Sequence, residues 1–162
     1  MRKRLASLVT LSLVVGAITA GSVSASDQIV TLKANLIGAQ EFPGPGDPDG
    51  SAKAKVDINV EAGQACFEIK GLKDTGTPNR GHIHTGAAGT AGGIVVTFFE
   101  LQPASAPASD PRHDQLESGS IQGCVTAPTE TLAAIVANPA LYYVNVHNTR
   151  FPAGSLRCQL EP

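Results

Sequence analysis

Apolar and polar residues alternate with a period of two along most of the chain. Val30, Leu32, Ala34 and Leu36 share one side of an extended segment, with Thr31, Lys33 and Asn35 on the other. The same alternation sets Ala52, Ala54, Val56, Ile58 and Val60 against Lys53, Lys55, Asp57 and Asn59, and Ala65, Phe67 and Ile69 against Cys66, Glu68 and Lys70. Successive side chains of a strand point to opposite faces, so this pattern predicts half-buried antiparallel strands with one wet face. Further strands are predicted around Gly81 to His84 and over Ile94 to Leu101, Ser120 to Val125, Leu141 to His147 and Ser155 to Leu160. Glu61-Ala62-Gly63-Gln64 reads as a hairpin turn, and the stretches 44–50 and 86–93 read as loops by their glycine and proline content. Gln102 to Glu117 is rich in Pro, Ala, Ser and Asp and reads as an exposed, mobile loop.

One short helix is expected. Thr126 is placed to cap it, Pro128 suits a first turn, and Glu130 suits its positive end. Leu132, Ile135 and Val136 have helical spacing, and Asn138-Pro139 ends it. About eight strands with one helix and no crossover helices predict an all-β sandwich or flattened barrel.

Residues 1–25 read as a secretory signal peptide. Arg2-Lys3-Arg4 is followed by the uncharged apolar run Leu5 to Ala20, and Val23-Ser24-Ala25 forms a small-residue cleavage site before Ser26. The apolar run is short for a bilayer span, and no Cys follows it to carry a lipid. Residues 26–162 then form one domain, with no stable membrane insertion after cleavage and a secreted or extracytoplasmic location, extracellular or periplasmic. Cleavage removes three of the twelve Lys+Arg and none of the fourteen acids, leaving nine against fourteen and a net charge of −5. A mildly acidic chain without a basic run argues against nucleic acid or an anionic membrane as partner.

The chemistry-bearing residues are few. His82 and His84 lie two apart on a predicted strand and so share a face. His147 falls on the outward parity of its own strand, with Tyr143 and Asn145. Neutral imidazole suits copper and zinc, so these three histidines are the candidate metal ligands; the alternative is a cluster bonded to Asn145, to loop carbonyls or to one another. His113 reads as incidental, and Asp47 and Asp49 as part of a solvated turn. The sequence contains no Gly-x-Ser-x-Gly, phosphate loop or His-Glu-x-x-His, so no catalytic residue is assigned.

Strand parity also sorts the three cysteines. Cys66 and Cys124 both face away from the core, whereas Cys158 shares the inward face of Leu156 and Leu160, leaving Arg157 and Gln159 toward water. This predicts a Cys66–Cys124 bridge and a free, buried Cys158. Pairing of Cys158 with Cys124, or dimerisation through an exposed cysteine, stays open.

Four blocks of sequence resemble the CHRD (chordin-type) domain: Leu36 to Pro43, Gly81 to Gly86 with the glycine-rich loop after it, Leu141 to His147, and Phe151 to Leu160. Cys158 departs from that pattern, standing where the family usually has Gly. The resemblance implies an immunoglobulin-like antiparallel β-sandwich outside the cytoplasm and implies no reaction. Glu41 and Arg157 fall in these blocks and form a candidate ion pair, as an exposed bridge or an anion-binding pair. The His-x-His and late-strand His are more remotely similar to the copper–zinc superoxide dismutase sandwich, although that family's zinc-binding loop has no counterpart here. Two function classes follow. One is a non-enzymatic domain that binds or scaffolds an unidentified extracytoplasmic protein or surface ligand. The other is a copper or zinc protein using His82, His84 and His147, with a redox role open to it.

Overall fold

The alternating segments become strands because each buries its apolar side against the same core. The computed structural model describes residues 28–101 and 111–162. The signal peptide expected at 1–25 and the first part of the loop expected at 102–117 lie outside the described residues. The strands are β1 (Ile29–Ile37), β2 (Ser51–Asn59), β3 (Gln64–Lys73), β4 (Pro78–Thr85), β5 (Ile94–Glu100), β6 (Ser120–Thr126), β7 (Tyr142–Asn148) and β8 (Leu156–Gln159). They form one antiparallel sheet in the order β5-β4-β7-β8-β1-β2-β3-β6, which nearly closes into a barrel.

The core faces inward from every strand. Leu32, Leu36, Val56, Ile58, Phe67, Ile69, Ile83, Ile121, Val144, Val146 and Leu156 are all buried. Phe67 of β3, the strand next to the β6 end, stacks on Phe98 of β5 at the other end with ring centroids 4.6 Å apart, across the interior. Each such side chain contributes about 1.5–3 kcal/mol by leaving water.

Among the described residues the expected α-helix is present together with one more, besides two short 3-10 turns at Gly38–Gln40 and Pro139–Leu141. Helix α2 (Thr129–Ala137) seats Leu132 and Ile135 in the core, but its cap position is Pro128. Thr126 does not cap it, because Thr126 still belongs to β6 and pairs with Gln64. Helix α1 (Pro111–Glu117) forms within the stretch read as a loop. Leu116 anchors it in the core, and the Gln115 side-chain oxygen accepts the Gln122 N–H at 2.8 Å. The loop-like composition hid this single apolar anchor. His113 lies on this helix. Among the described residues, no helix is long and apolar enough to cross a membrane.

One part of the outward face is not wet. Residues 38–50, 86–93 and 149–155 fold over β4, β7 and β8 and bury a polar layer there. Asp47, His82, His84, Asn145, His147, Asn148, Ser155 and Arg157 are all buried. Two expectations are corrected by this cover. Arg157 does not reach water but is 1% exposed. Asp47 is not in a solvated turn, since its backbone N–H donates to Ser155 O at 2.9 Å and the chain closes over it; Asp49 alone stays exposed.

Candidate metal centre

Register brings the three histidines together. His82 of β4 pairs with Asn145 of β7, His84 with Tyr143, and Arg80 with His147. Directly paired residues project to the same side, so His82, His84 and His147 rise from one patch. They are 1%, 9% and 5% exposed. One nitrogen from each lies within 4.8 Å of the others.

The second nitrogen of each ring is held by an acceptor. His84 Nδ1 lies 3.0 Å from Gly92 O, and His147 Nδ1 lies 3.2 Å from Pro152 O. A carbonyl only accepts, so both Nδ1 atoms carry the proton and both Nε2 atoms present lone pairs. His84 Nε2 is buried and has no hydrogen-bond partner. His82 Nε2 lies 3.3 Å from Glu100 Oε1, and His82 Nδ1 lies 3.3 Å from His147 Nε2. A proton on His82 Nδ1 makes the second contact a hydrogen bond, whereas a proton on Nε2, donated to the Glu100 carboxylate, turns two lone pairs toward each other. Two lone pairs at that distance repel unless a proton or another cation lies between them. Ligands at the tetrahedral angle around an ion with bonds of ~2.0–2.1 Å are themselves about 3.3–3.4 Å apart. The His82–His147 pair matches that value, and the three ligand nitrogens together lie within 4.8 Å.

Electrostatics keep a second proton off these rings. Burial lowers the pKa of all three histidines. For His147 the value falls to about 4, through burial first and then the nearby His82 and Arg80 charges. Arg157 presses on His84 in the same sense, and Glu100 partly offsets the effect at His82. The rings are therefore neutral at neutral pH, the state in which imidazole ligates a metal. Carbonyl and carboxylate acceptors on the far ring nitrogens are the usual supports of metal-bound histidine.

Glycine shapes the surroundings. A Cβ on Gly92 would collide with the Thr85 carbonyl, so only glycine lets the loop close and aim its carbonyl at His84. The Tyr143 ring stacks on His84 at 5.0 Å with 12° between planes, and the Arg157 guanidinium lies 3.5 Å over Tyr143. Tyr143 Oη accepts the Gly92 N–H at 3.2 Å.

Glu41 and Arg157 enter the same polar layer, but no N···O contact within 4.0 Å joins them among the described ion pairs. Arg157 Nη2 donates instead to Ala87 O at 3.0 Å and Gln159 Oε1 at 3.2 Å. Burial raises the Glu41 pKa to about 7, against the opposing Arg157 charge, and Asn145 Nδ2 donates to its Oε2 at 3.4 Å. Glu100, Gly92, Pro152 and the Arg157–Tyr143–His84 stack were not foreseen as parts of the site. All but Glu100 fall in three of the four resembling blocks, and Glu100 carries no such signal.

The cysteines lie elsewhere. Cys66 and Cys124 are directly opposed in β3 and β6 and form a disulfide on the outward face. Cys158 is free and packs against the core as expected, but it is half-buried, not buried.

No curated protein and no solved structure matches the chain, so the likeness to the dismutase sandwich gains no support. The model of one family, described as the CHRD domain, matches residues 32–160, which takes in the sheet from Leu32 onward and the polar layer over it, and the chain belongs to the CHRD domain family.

Proposed function

We propose that this is an exported binding domain that holds one copper or zinc ion between His82, His84 and His147. The observation that carries the reading is the convergence of three neutral imidazoles whose other nitrogens are all engaged by acceptors. Imidazole-only coordination suits copper and zinc and does not suit magnesium or calcium. No reaction is assigned. Calorimetric titration of chelator-treated protein tests the reading. One equivalent of copper or zinc should bind, and His84→Ala should abolish or strongly weaken uptake while the fold persists. Unchanged binding in His84→Ala would overturn it.

Export is supported by the charged and apolar order of residues 2–25 and by the Cys66–Cys124 bridge, which belongs to an oxidising compartment. N-terminal sequencing of the protein from outside the cytoplasm should read from Ser26. Recovery of the whole 162-residue chain from the cytoplasm with reduced cysteines contradicts it.

A further inference from the structure

Three neutral imidazoles bring no negative charge to a dipositive ion. Glu100 lies beside His82 Nε2, the ring nitrogen that does not face His147, and is 51% exposed. Arg80 acts on His82 and His147, and Arg157 acts on His84, so both add positive charge. An uncompensated buried charge is strongly unfavourable, and the centre therefore calls for a buried negative charge.

Glu41 is a buried carboxyl in the same polar layer. A Cβ on Gly154 would strike its carboxylate oxygens and one on Gly46 its Cγ, so two loops close tightly on it. Its Oε1 is buried without a hydrogen-bond partner, and its Oε2 accepts from the neutral Asn145 amide at 3.4 Å. Around it, β8 presents Arg157, which acts on it from beyond ion-pair distance, and its own loop holds a second buried acid, Asp47. Burial outweighs the Arg157 charge and holds Glu41 as the neutral acid, with its pKa raised to about 7.

Asn145 links this carboxyl to the histidines. On β7 it pairs directly with His82 of β4, and His147 follows two residues later on the same face. Directly paired side chains have Cβ atoms ~4.5–5.5 Å apart, which puts the Glu41 carboxyl within about 10 Å of the cluster. The group of ligand atoms within 4.8 Å of one another is His82, His84 and His147 without Glu41, so the carboxyl is not a ligand. At about 10 Å and an effective dielectric of ~20, a dipositive ion and a carboxylate attract strongly enough to change an affinity more than tenfold.

We propose that Glu41 is the countercharge of this centre: an ion entering the three histidines expels the Glu41 proton to solvent, and the carboxylate left behind, held by Asn145, balances the ion without ligating it. This rests on the metal reading above. Metal uptake is then linked to a carboxyl proton, because the three rings are already neutral and have no second proton to give up.

The test is calorimetric titration of the chelator-treated mature chain with Zn(II), and in parallel with Cu(II), at about pH 6 in two buffers of different ionisation enthalpy. Wild type should release about one proton per ion, and Glu41→Gln less than about half of that. Between about pH 5.5 and 6.5 the wild-type affinity should rise roughly tenfold, as one linked proton requires, and that of Glu41→Gln roughly threefold or less. At about pH 8 Glu41→Gln should bind the ion roughly tenfold more weakly than wild type. Should Glu41→Gln not fold, the carboxyl carbon resonance of Glu41 in the wild-type protein decides: at about pH 6 it should move from the protonated to the ionised position on adding Zn(II). Equal proton release in wild type and Glu41→Gln, or a Glu41 resonance that stays in place as the ion binds, overturns the countercharge role and leaves the metal reading standing. Failure to take up copper or zinc overturns both.

Discussion

Acid should destabilise this fold through its histidines, and His147 gives the clearest case. Its pKa is lowered from 6.5 to about 4 by burial, with the His82 charge next. The unfolded chain therefore takes up the proton as pH falls through 6.5, while the folded chain resists until about 4. Below 6.5 the unfolded state holds more protons, so stability falls as pH falls across that window and is flat above it. The contribution of His147 is on the order of 3 kcal/mol between the two limits. That is a large share of the ~5–15 kcal/mol typical of a domain. His82 and His84 are shifted in the same direction and act with it. Glu41 acts against them over part of the range, because its carboxyl is raised to about 7. The assay is urea unfolding of chelator-treated protein from pH 7.5 to 4, wild type beside His147→Gln. Wild type should lose stability more steeply below pH 6.5 than the variant, by an amount of that order. Parallel pH profiles for the two proteins would show that His147 is not held neutral by burial.

Two further outcomes follow from other parts of the structure. Replacing Cys66 and Cys124 together by Ala should lower stability by ~2–4 kcal/mol in urea unfolding, since the bridge spans 58 positions; a linked peptide containing Cys158 in non-reducing mapping contradicts the pairing. Glu41→Gln should stabilise the protein more at pH 8 than at pH 5, because the native carboxyl ionises only near 7 whereas the unfolded one ionises near 4.5, so native stability falls as pH rises between them; an equal change at both pH values contradicts the burial of its charged form.

Strand parity was legible because a period of two leaves no ambiguity about which side chains share a face. It placed Leu32, Val56 and Phe67 in the core, and it paired Cys66 with Cys124. It also put His82, His84 and His147 on one outward face. Parity carries no information about what covers a face. Parity places Arg157 and His147 on the outward face, and the loops 38–50, 86–93 and 149–155 close over them. A loop's path depends on close approaches such as Gly92 to the Thr85 carbonyl and Gly154 to the Glu41 carboxyl, which glycine permits without announcing. The same gap explains Glu100, whose register beside Arg80 brings its carboxylate to His82 only once β4 and β5 are paired. Helix α1 has no sequence signature because a single Leu116 gives no periodicity.

The central claim is that His82, His84 and His147 hold a metal ion. Elemental analysis of the protein purified without chelators from its native compartment tests it most directly. The account predicts about one copper or zinc per chain, removed by His84→Ala. Substoichiometric metal in the wild-type protein, or the same metal content in His84→Ala, would contradict it.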